Sequence, residues 1–334
     1  MSAYARRMRT EPLAPALPLV CDTPAGLLSV VINPGSGEHD AQATRDLLAR
    51  VFEEHGRRYE FVQVDTPAAL GEASRKAAQA AAASGGVLVG VGGDGTINTV
   101  ADAAWRAGCV LGIIPQGTFN LFGRGHGIAQ DPEAAARALV RGTPEPVQVG
   151  EVNGRLFLVN ASLGLYPQLL QDRETFKHQL GRHRWVAIFS GLVTVFEWRR
   201  QLALEIELDG EKTVLVTPTL FVGNNRLQLE RIGIEPDVVG RVGEGRLAAV
   251  ATRPVGTWRM LLLVLRGAIG RLGEAEQVQS FAFRTLTVRV FGMRKLKVAA
   301  DGEVGVMRPP LCFCVSATPL QLVLPQPEDR VAVE

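Results

Sequence analysis

The sequence predicts an α/β domain over residues 26–146 followed by a β-rich domain over residues 147–317. A chain of 334 residues is long enough for two domains, since domains of about 100–200 residues are usual. In the first region, strand-like apolar runs alternate with segments whose apolar residues have helical spacing. The second region contains the turn signals of antiparallel hairpins. A glycine-rich turn at residues 92–96 joins a strand to a helix and indicates a site for phosphate groups.

The elements of the first region are identified from apolar runs and the residues that end them. The run at 27–32 ends at Asn33-Pro34-Gly35, and a segment with helical spacing follows around 47–55. An acidic cap and a proline at 131–132 mark the start of the last helix. The alternation predicts a doubly wound, mainly parallel sheet with helices on both faces. Further strands are predicted at 59–64, 86–91 and 110–114, and further helices at 67–84, at 96–107 and from 131 onward.

Hairpin signals dominate the second region. Asn153-Gly154 and Asp209-Gly210 each separate two strand-like segments, and such pairs favour two-residue turns between antiparallel strands. Two helices are predicted to interrupt the strands, at about 172–199 and 255–273. Strands are predicted at 147–152, 155–160, 202–208, 212–216, 219–222, 246–251, 280–290 and 295–300.

Composition and charge exclude several classes of protein. Lysine and arginine total 36 against 34 acidic residues, so the net charge of +2 gives no reason to expect a nucleic-acid partner. Four scattered cysteines are too few for a disulfide framework and fit a reducing, cytoplasmic location. The apolar runs fall short of the roughly 20 residues that a membrane-spanning helix needs. Residues 1–25 combine arginines with prolines and are predicted to be a disordered leader.

The glycine-rich turn reads Gly92-Gly93-Asp94-Gly95-Thr96. Its three glycines allow a ligand to approach the backbone, and the start of a helix presents unpaired N–H groups to anionic oxygens. Asp94 can hold a cation that neutralises those oxygens. The turn therefore predicts nucleotide chemistry, and a glycine turn with only a capping role is the alternative.

Three further polar segments are expected to converge on the site. Residues 33–37 and 115–120 each follow a parallel strand, and open α/β sheets bind ligands at the carboxyl edge of their strands. The segment Asp301-Gly302-Glu303 follows the strand predicted at 295–300. Each segment alone could be an ordinary turn, but together they have the order and residue types of a kinase site.

Together with the glycine-rich turn, these segments resemble the diacylglycerol kinase catalytic-domain family, which includes bacterial soluble lipid kinases and sphingosine kinases, over roughly residues 26–325. NAD kinases and 6-phosphofructokinases share the glycine-rich turn, whereas residues 301–303 and 160–166 favour the lipid kinase branch. The resemblance implies an α/β nucleotide domain followed by a β-sandwich. It also implies an active site in the cleft and a last strand near 318–326 that returns to the first domain.

The same resemblance implies an ATP-dependent lipid kinase with Mg²⁺ as cofactor. Asp94 would hold Mg²⁺ through ATP, and Glu303 would accept the proton of the lipid hydroxyl, with Asp301 as the rival for that role. Phosphoryl transfer needs positioning and charge neutralisation more than covalent chemistry, so glycine-rich loops and two carboxylates across a cleft suffice. The residues expected to contact ATP are Asn33, Ser36, Gly37, Thr66, Gly92, Gly93, Asp94, Gly95, Thr96, Asn98, Gly117, Thr118 and Asn120.

Two positions depart from the family's pattern. Leu121 stands where family members often carry an aspartate, which bears on the subtype. The family's structural Mg²⁺ loop usually reads Asp-Gly-x-Leu, whereas residues 243–247 read Gly-Glu-Gly-Arg-Leu. Glu244 and the carbonyl oxygens of Arg241 and Arg246 are the oxygen ligands that a hard cation could use here. A loop without a metal ion is the alternative.

Three other functions compete with a lipid kinase. Residues 90–95 match Gly-x-Gly-x-x-Gly, but an oxidoreductase would have an acid about 20 residues further on, where 115–116 are proline and glutamine. An NAD kinase shares the loops and differs in its acceptor. A lipid-binding regulator without activity is disfavoured because Asp94, Asp301 and Glu303 are all retained.

A basic and apolar segment at 173–200 is a candidate for peripheral contact with an anionic membrane surface. A second segment, at 258–272, combines an apolar stripe with arginines. Packing of both segments against the β-rich core is the alternative. The identity of the lipid substrate and the oligomeric state stay open, with a homodimer as one option.

Overall fold

A computed structural model of the chain describes residues 26–33, 41–164, 201–208, 211–254, 262–263, 266, 271–273 and 275–332. The predicted leader at 1–25, the loop residues Ser36 and Gly37, and the membrane-contact segment at 173–200 lie outside these residues, as does most of the helix predicted at 255–273. Within the described part of the chain, no helix is long and apolar enough to cross a membrane.

The first sheet contains β1 (Leu28–Ile32), β2 (Tyr59–Val62), β3 (Val87–Gly92), β4 (Val110–Pro115), β5 (Thr143–Val147) and β18 (Leu320–Leu324). Their order in space is β2-β1-β3-β4-β18-β5, with β1 to β4 parallel. β18 comes from the far end of the chain and pairs parallel to β4 and antiparallel to β5. β1 and β3 are buried along their whole length, which explains why their sequences are continuous apolar runs.

Helices cover both faces of this sheet: they are α1 (Ala41–Glu54), α2 (Leu70–Ser84), α3 (Asp94–Ala107), α4 (Leu121–Gly125) and α5 (Pro132–Arg141). α2 packs against α3, and α1 packs against α5. The right-handed crossovers from β1 to β2 and from β2 to β3 run in opposite directions along the sheet, which places α1 and α2 on opposite faces. Asp131 caps α5, because its Oδ1 atom accepts a hydrogen bond from the N–H of Ala134 at 2.8 Å. The prediction that an acidic cap and a proline at 131–132 begin this helix is confirmed.

Two antiparallel sheets form the second part of the molecule and face each other as a sandwich. One contains β6 (Gly150–Val152), β7 (Arg155–Phe157), β9 (Leu202–Leu208), β10 (Glu211–Thr217), β14 (Thr285–Val290) and β17 (Leu311–Val315). The other contains β8 (Asn160–Gly164), β11 (Thr219–Gly223), β12 (Leu247–Thr252), β13 (Val278–Phe283), β15 (Leu296–Ala300) and β16 (Glu303–Met307). Phe157, Phe283 and Phe313 come from both sheets and are fully buried in one core. The predicted fold, an α/β domain followed by a β-sandwich, is confirmed.

The structure differs from the sequence prediction at several elements. Residues 143–147, at the predicted domain boundary, form the edge strand β5, and an edge strand tolerates proline. The single strand predicted at 280–290 is two strands, β13 and β14, which belong to different sheets and meet at Arg284. The sequence pattern also misses the short helices α4, α6 (Arg226–Arg231) and α7 (Pro236–Val239), because a helix of one or two turns is too short to show a hydrophobic period.

Leu322 tests whether β18 is an integral strand of the first sheet. Its side chain is fully buried, at 0% exposure, and it pairs with Leu111 of β4. Leu322→Ala removes buried methyl groups and leaves a cavity, so we expect the free energy of unfolding in urea to fall by about 2–5 kcal/mol. The control Val306→Ala, at a side chain 66% exposed, should change it by less than about 0.5 kcal/mol. Equal losses in the two variants would contradict the position of β18.

Candidate active site

The glycine-rich turn lies where β3 ends and α3 begins. Gly92 has a φ of +152°, and a Cβ atom there would lie 2.8 Å from the Cβ atom of Thr96, so a larger residue does not fit. A Cβ atom on Gly95 would meet nothing within 4 Å, which leaves open space beside the first turn of α3. The N–H groups of that turn lack partners within the helix, and the helix dipole adds to their attraction for an anion. The turn therefore offers backbone donors with room for phosphate oxygens.

Asp94 joins this turn to the loop that follows β4. Its Oδ2 atom accepts a hydrogen bond from the backbone N–H of Asn120 at 3.0 Å, and its Oδ1 atom accepts one from Leu121 at 3.1 Å. Gly93 and Gly117 pack backbone to backbone, because a Cβ atom on Gly117 would lie only 2.8 Å from the Cα atom of Gly93. Asp94 thus holds two loops together, a role that the sequence did not predict. Each carboxylate oxygen keeps a second lone pair for a further partner.

The loop after β4 takes its shape from Asn120. This residue is buried and has a φ of +46°. Its Oδ1 atom accepts from the N–H of Gly117 at 3.0 Å, while its Nδ2 atom donates to the Gly117 carbonyl at 2.8 Å and to Gln130 Oε1 at 2.7 Å. The side-chain amide predicted to contact ATP is therefore committed to the loop itself. Thr118 and Phe119, beside it, are exposed.

Other residues predicted to contact ATP lie near the carboxyl ends of the neighbouring strands. Asn33 follows β1, and its Nδ2 atom donates to the buried hydroxyl of Thr96 at 3.1 Å. Thr66 is exposed after β2, at the start of a 3-10 turn, and its hydroxyl makes no capping hydrogen bond. Asn98 lies in the second turn of α3, where its Oδ1 atom is buried without a hydrogen-bond partner in the described part of the chain. A buried amide oxygen in this state indicates a place for a bound donor.

Asp301 occupies the turn between β15 and β16 with a φ of +46°. Its carboxylate accepts hydrogen bonds from the backbone N–H groups of Leu158 at 2.6 Å and of Val159 and Asn160 at 2.9 Å. Burial raises the pKa of the Asp301 carboxyl to about 6; the three donors oppose this rise, and the negative charge of Asp94 adds to it. The charge of Asp94 in the first domain therefore acts on Asp301 in the second domain.

Glu303 begins β16, two residues after Asp301. Its side chain is 54% exposed, and its Oε2 atom accepts a hydrogen bond from the Arg155 guanidinium at 3.0 Å. A cavity of about 240 Å³ connects Glu303 with α2 and α3, so it is bounded by both domains. Glu303 is thus accessible to a ligand, whereas the carboxylate of Asp301 is held by three backbone donors. The cavity is lined by Gly71, Arg75, Asn98, Thr99, Asp102, Ala103, Arg106, Arg155, Leu156 and Glu303.

The sequence patterns do not single out the three arginines of this cavity. Arg106 pairs with Asp102 at 2.8 Å, and Arg155 pairs with Glu303. With Arg75, the three guanidinium groups outnumber the two carboxylates by one, which favours an anionic ligand. Arg155 follows a hairpin turn that the sequence does predict, but Arg75 and Arg106 lie on helices that carry other charges. No local signal distinguishes them from those charges.

The loop predicted to hold a structural cation has different partners. The Glu244 carboxylate pairs with the guanidinium of Arg226 at 3.3 Å. The carbonyl oxygen of Arg246 accepts from the side-chain amide of Gln148 at 2.9 Å, and that of Arg241 accepts from the N–H of Glu244 at 3.4 Å. No cluster of three or more Asp, Glu, His or Cys suited to a metal ion occurs among the described residues. Glu244 thus faces a guanidinium group, and each of the two carbonyl oxygens accepts a hydrogen bond within the protein.

Comparison with known proteins gives matches in sequence. A family model described as the diacylglycerol kinase catalytic domain matches residues 28–152. The chain is 30% identical over 291 residues to the diacylglycerol kinase of Bacillus subtilis strain 168, which covers 84% of this chain and 90% of that protein. It is 47% identical over 114 residues to a Pseudomonas aeruginosa PAO1 protein named "Probable lipid kinase YegS-like", which covers 33% of this chain and 37% of that protein.

The fold is similar to that of a diacylglycerol kinase crystal structure from Bacillus anthracis strain Sterne. The TM-score is 0.64, and the match covers 91% of this chain and 98% of that chain. The sequence identity is 18%, so this likeness concerns the fold alone.

The electrostatic interaction between Asp94 and Asp301 can be tested without substrate. Asp94→Asn removes a negative charge that disfavours ionisation of Asp301, so the pKa of the Asp301 carboxyl should fall below about 6 in a ¹³C NMR titration. The pKa of Asp301 in the folded protein, about 6, exceeds the ordinary 3.8, so its ionisation lowers the free energy of unfolding as the pH rises from about 4 to about 6. This loss of stability should be smaller in Asp94→Asn. Asp46→Asn on α1 is the control. An unchanged Asp301 pKa in Asp94→Asn would contradict the interaction.

Proposed function

The chain belongs to the diacylglycerol kinase family, and from this premise we propose that it is an ATP-dependent lipid kinase, which transfers the γ-phosphate of ATP to a lipid hydroxyl. The family predicted from the sequence motifs is confirmed. One observation carries the proposal: the charge of Asp94, in the glycine-rich turn, acts on Asp301 of the second domain, and Glu303 lines a cavity that α2 and α3 of the first domain also border. A phosphoryl donor and its acceptor need to meet at such a place.

The first domain forms the donor side of the proposed site. The triphosphate of ATP would lie over residues 92–96 and beside the loop at 115–120, because both present backbone at the carboxyl edge of the sheet. Thr66 and Thr118 are exposed there, with hydroxyls suited to the nucleotide. Mg²⁺ bound with ATP would neutralise phosphate charge, and Asp94 has lone pairs left to hold it.

Glu303 is the proposed general base. As the lipid hydroxyl oxygen bonds to the γ-phosphorus, the bond from that phosphorus to the bridging oxygen of ADP breaks, and Glu303 takes the hydroxyl proton. Arg155 orients its carboxylate from 3.0 Å. Asp301 is less suited to this role, because its oxygens accept from three backbone N–H groups. We assign Asp301 to positioning of residues 158–160.

The acceptor lipid is proposed to be diacylglycerol-like or sphingoid, and a relative that covers 84% of the chain is named a diacylglycerol kinase. Radiolabelled ATP tests this against diacylglycerol, monoacylglycerol, ceramide, sphingosine, phosphatidylglycerol and NAD. The lipids are presented in vesicles that contain anionic lipid, since the chain is proposed to act peripherally at such a surface in the cytoplasm. We expect transfer to a lipid. Transfer to NAD alone would favour an NAD kinase, and no transfer at all would favour a lipid-binding regulator.

Glu303→Gln tests the general base. The substitution keeps the size of the side chain but cannot take up the proton, so kcat should fall by roughly 10²–10⁴-fold while the KM for ATP stays unchanged. Asp301→Asn is measured beside it and should act through the shape of the site, raising KM as well. Normal turnover in Glu303→Gln with loss of chemistry in Asp301→Asn would reverse the two roles.

A further inference from the structure

The loop at residues 240–246 lies between α7 and β12 and turns back on itself. Gly243 and Gly245 have φ values of +85° and +73°, a conformation that favours glycine. The loop is tied to Gln148, whose Oε1 atom accepts from the Gly245 N–H at 2.8 Å and whose Nε2 atom donates to the Arg246 carbonyl at 2.9 Å. Because Gln148 connects β5 of the first sheet to β6 of the sandwich, the loop sits at the junction of the two domains.

The Arg226 side chain reaches into this loop from the first position of α6. Its guanidinium donates to the carbonyl oxygens of Val242 and, at 2.9 Å, of Gly240. It also pairs with the Glu244 carboxylate at 3.3 Å. Two carbonyl oxygens and one carboxylate thus surround one permanent positive charge, and such oxygen ligands are those that hard metal ions take.

We infer that Arg226 is a resident cation of the second domain, which holds the loop at 240–246 in place of a divalent metal ion. The oxygen ligands predicted for a metal already accept hydrogen bonds within the protein, and Glu244 faces a guanidinium that would repel a second cation. The domain therefore needs no free Mg²⁺ to fold. Mg²⁺ would enter the reaction with the nucleotide alone.

Arg226 is also connected to the nucleotide loops through its neighbour. Asn225 caps α6, since its Oδ1 atom accepts from the N–H of Gln228 at 2.8 Å, and its Nδ2 atom donates to the Leu121 carbonyl at 3.0 Å. The N–H of Leu121 in turn donates to Asp94. By fixing the start of α6, Arg226 positions the loop that Asp94 holds. This second part of the inference rests on the proposed function.

Thermal unfolding of the full chain without nucleotide tests the resident cation. The melting temperature of the native protein should agree within about 1 °C in excess Mg²⁺ and in excess EDTA. Arg226→Ala should melt at least about 4 °C lower, because three acceptors lose their donor. The matched control is Arg289→Ala: Arg289 is 49% exposed against 47% for Arg226 and forms an ion pair with Glu205 at 2.8 Å. It should melt within about 2 °C of the native protein.

Three results would overturn the inference. One is a native protein whose melting temperature is markedly lower in EDTA than in Mg²⁺, when the Glu244→Gln variant shows no such difference. Another is an Arg226→Ala variant that melts like the native protein. Should Arg226→Ala fail to fold, Arg226→Lys decides: it keeps the positive charge and should fold, and a lysine variant that also fails to fold would overturn the inference. None of these measurements depends on kinase activity.

The positioning role has a kinetic readout in the assay with ATP. Arg226→Lys should raise the KM for ATP by about threefold or more while kcat changes less than about twofold, because the nucleotide loops shift and the general base does not. A fall in kcat of about threefold with the KM for ATP unchanged would contradict a role in positioning the nucleotide. If the native chain shows no kinase activity, only this arm fails, and the melting comparison still stands.

Discussion

The geometry of the site depends on two carboxylates that accept hydrogen bonds from backbone N–H groups. Asp94 fixes the backbone of Asn120 and Leu121, and Asp301 fixes residues 158–160. Hydrogen bonds to an ionised acceptor are stronger than those between neutral groups, so each acid orders a loop from its own domain.

Burial is the main cause of the raised pKa of Asp301, about 6, and the negative charge of Asp94 adds a smaller contribution. The negative charges of Asp94 and Asp301 attract positive charge, in agreement with the Mg²⁺ that accompanies ATP in the proposed reaction. The neighbouring cavity has the opposite character, because Arg75, Arg106 and Arg155 outnumber its carboxylates. Negative and positive groups thus lie side by side, as a site for a metal-bound phosphate ester requires.

Features set by neighbouring residues were predictable from the sequence. The Asn153-Gly154 turn is one: both residues adopt positive φ, 49° and 78°, between β6 and β7. Features set by distant contacts were not. The strand predicted at 280–290 divides at Arg284 because its two halves pair with different sheets, and Asn225 meets Leu121 across 104 positions. The acids of residues 301–303 look like part of an ordinary turn by local rules, and only the family resemblance assigned them to the site.

A crystal structure of the chain with Mg²⁺ and a non-hydrolysable ATP analogue tests the central claim most directly. We expect the phosphates over residues 92–96, Asp94 beside the metal ion, and the γ-phosphate directed across the cleft toward Glu303. The loop at 240–246 should contain the Arg226 guanidinium and no metal ion. A nucleotide bound away from the glycine-rich turn, or a γ-phosphate directed away from the second domain, would contradict this description of the site.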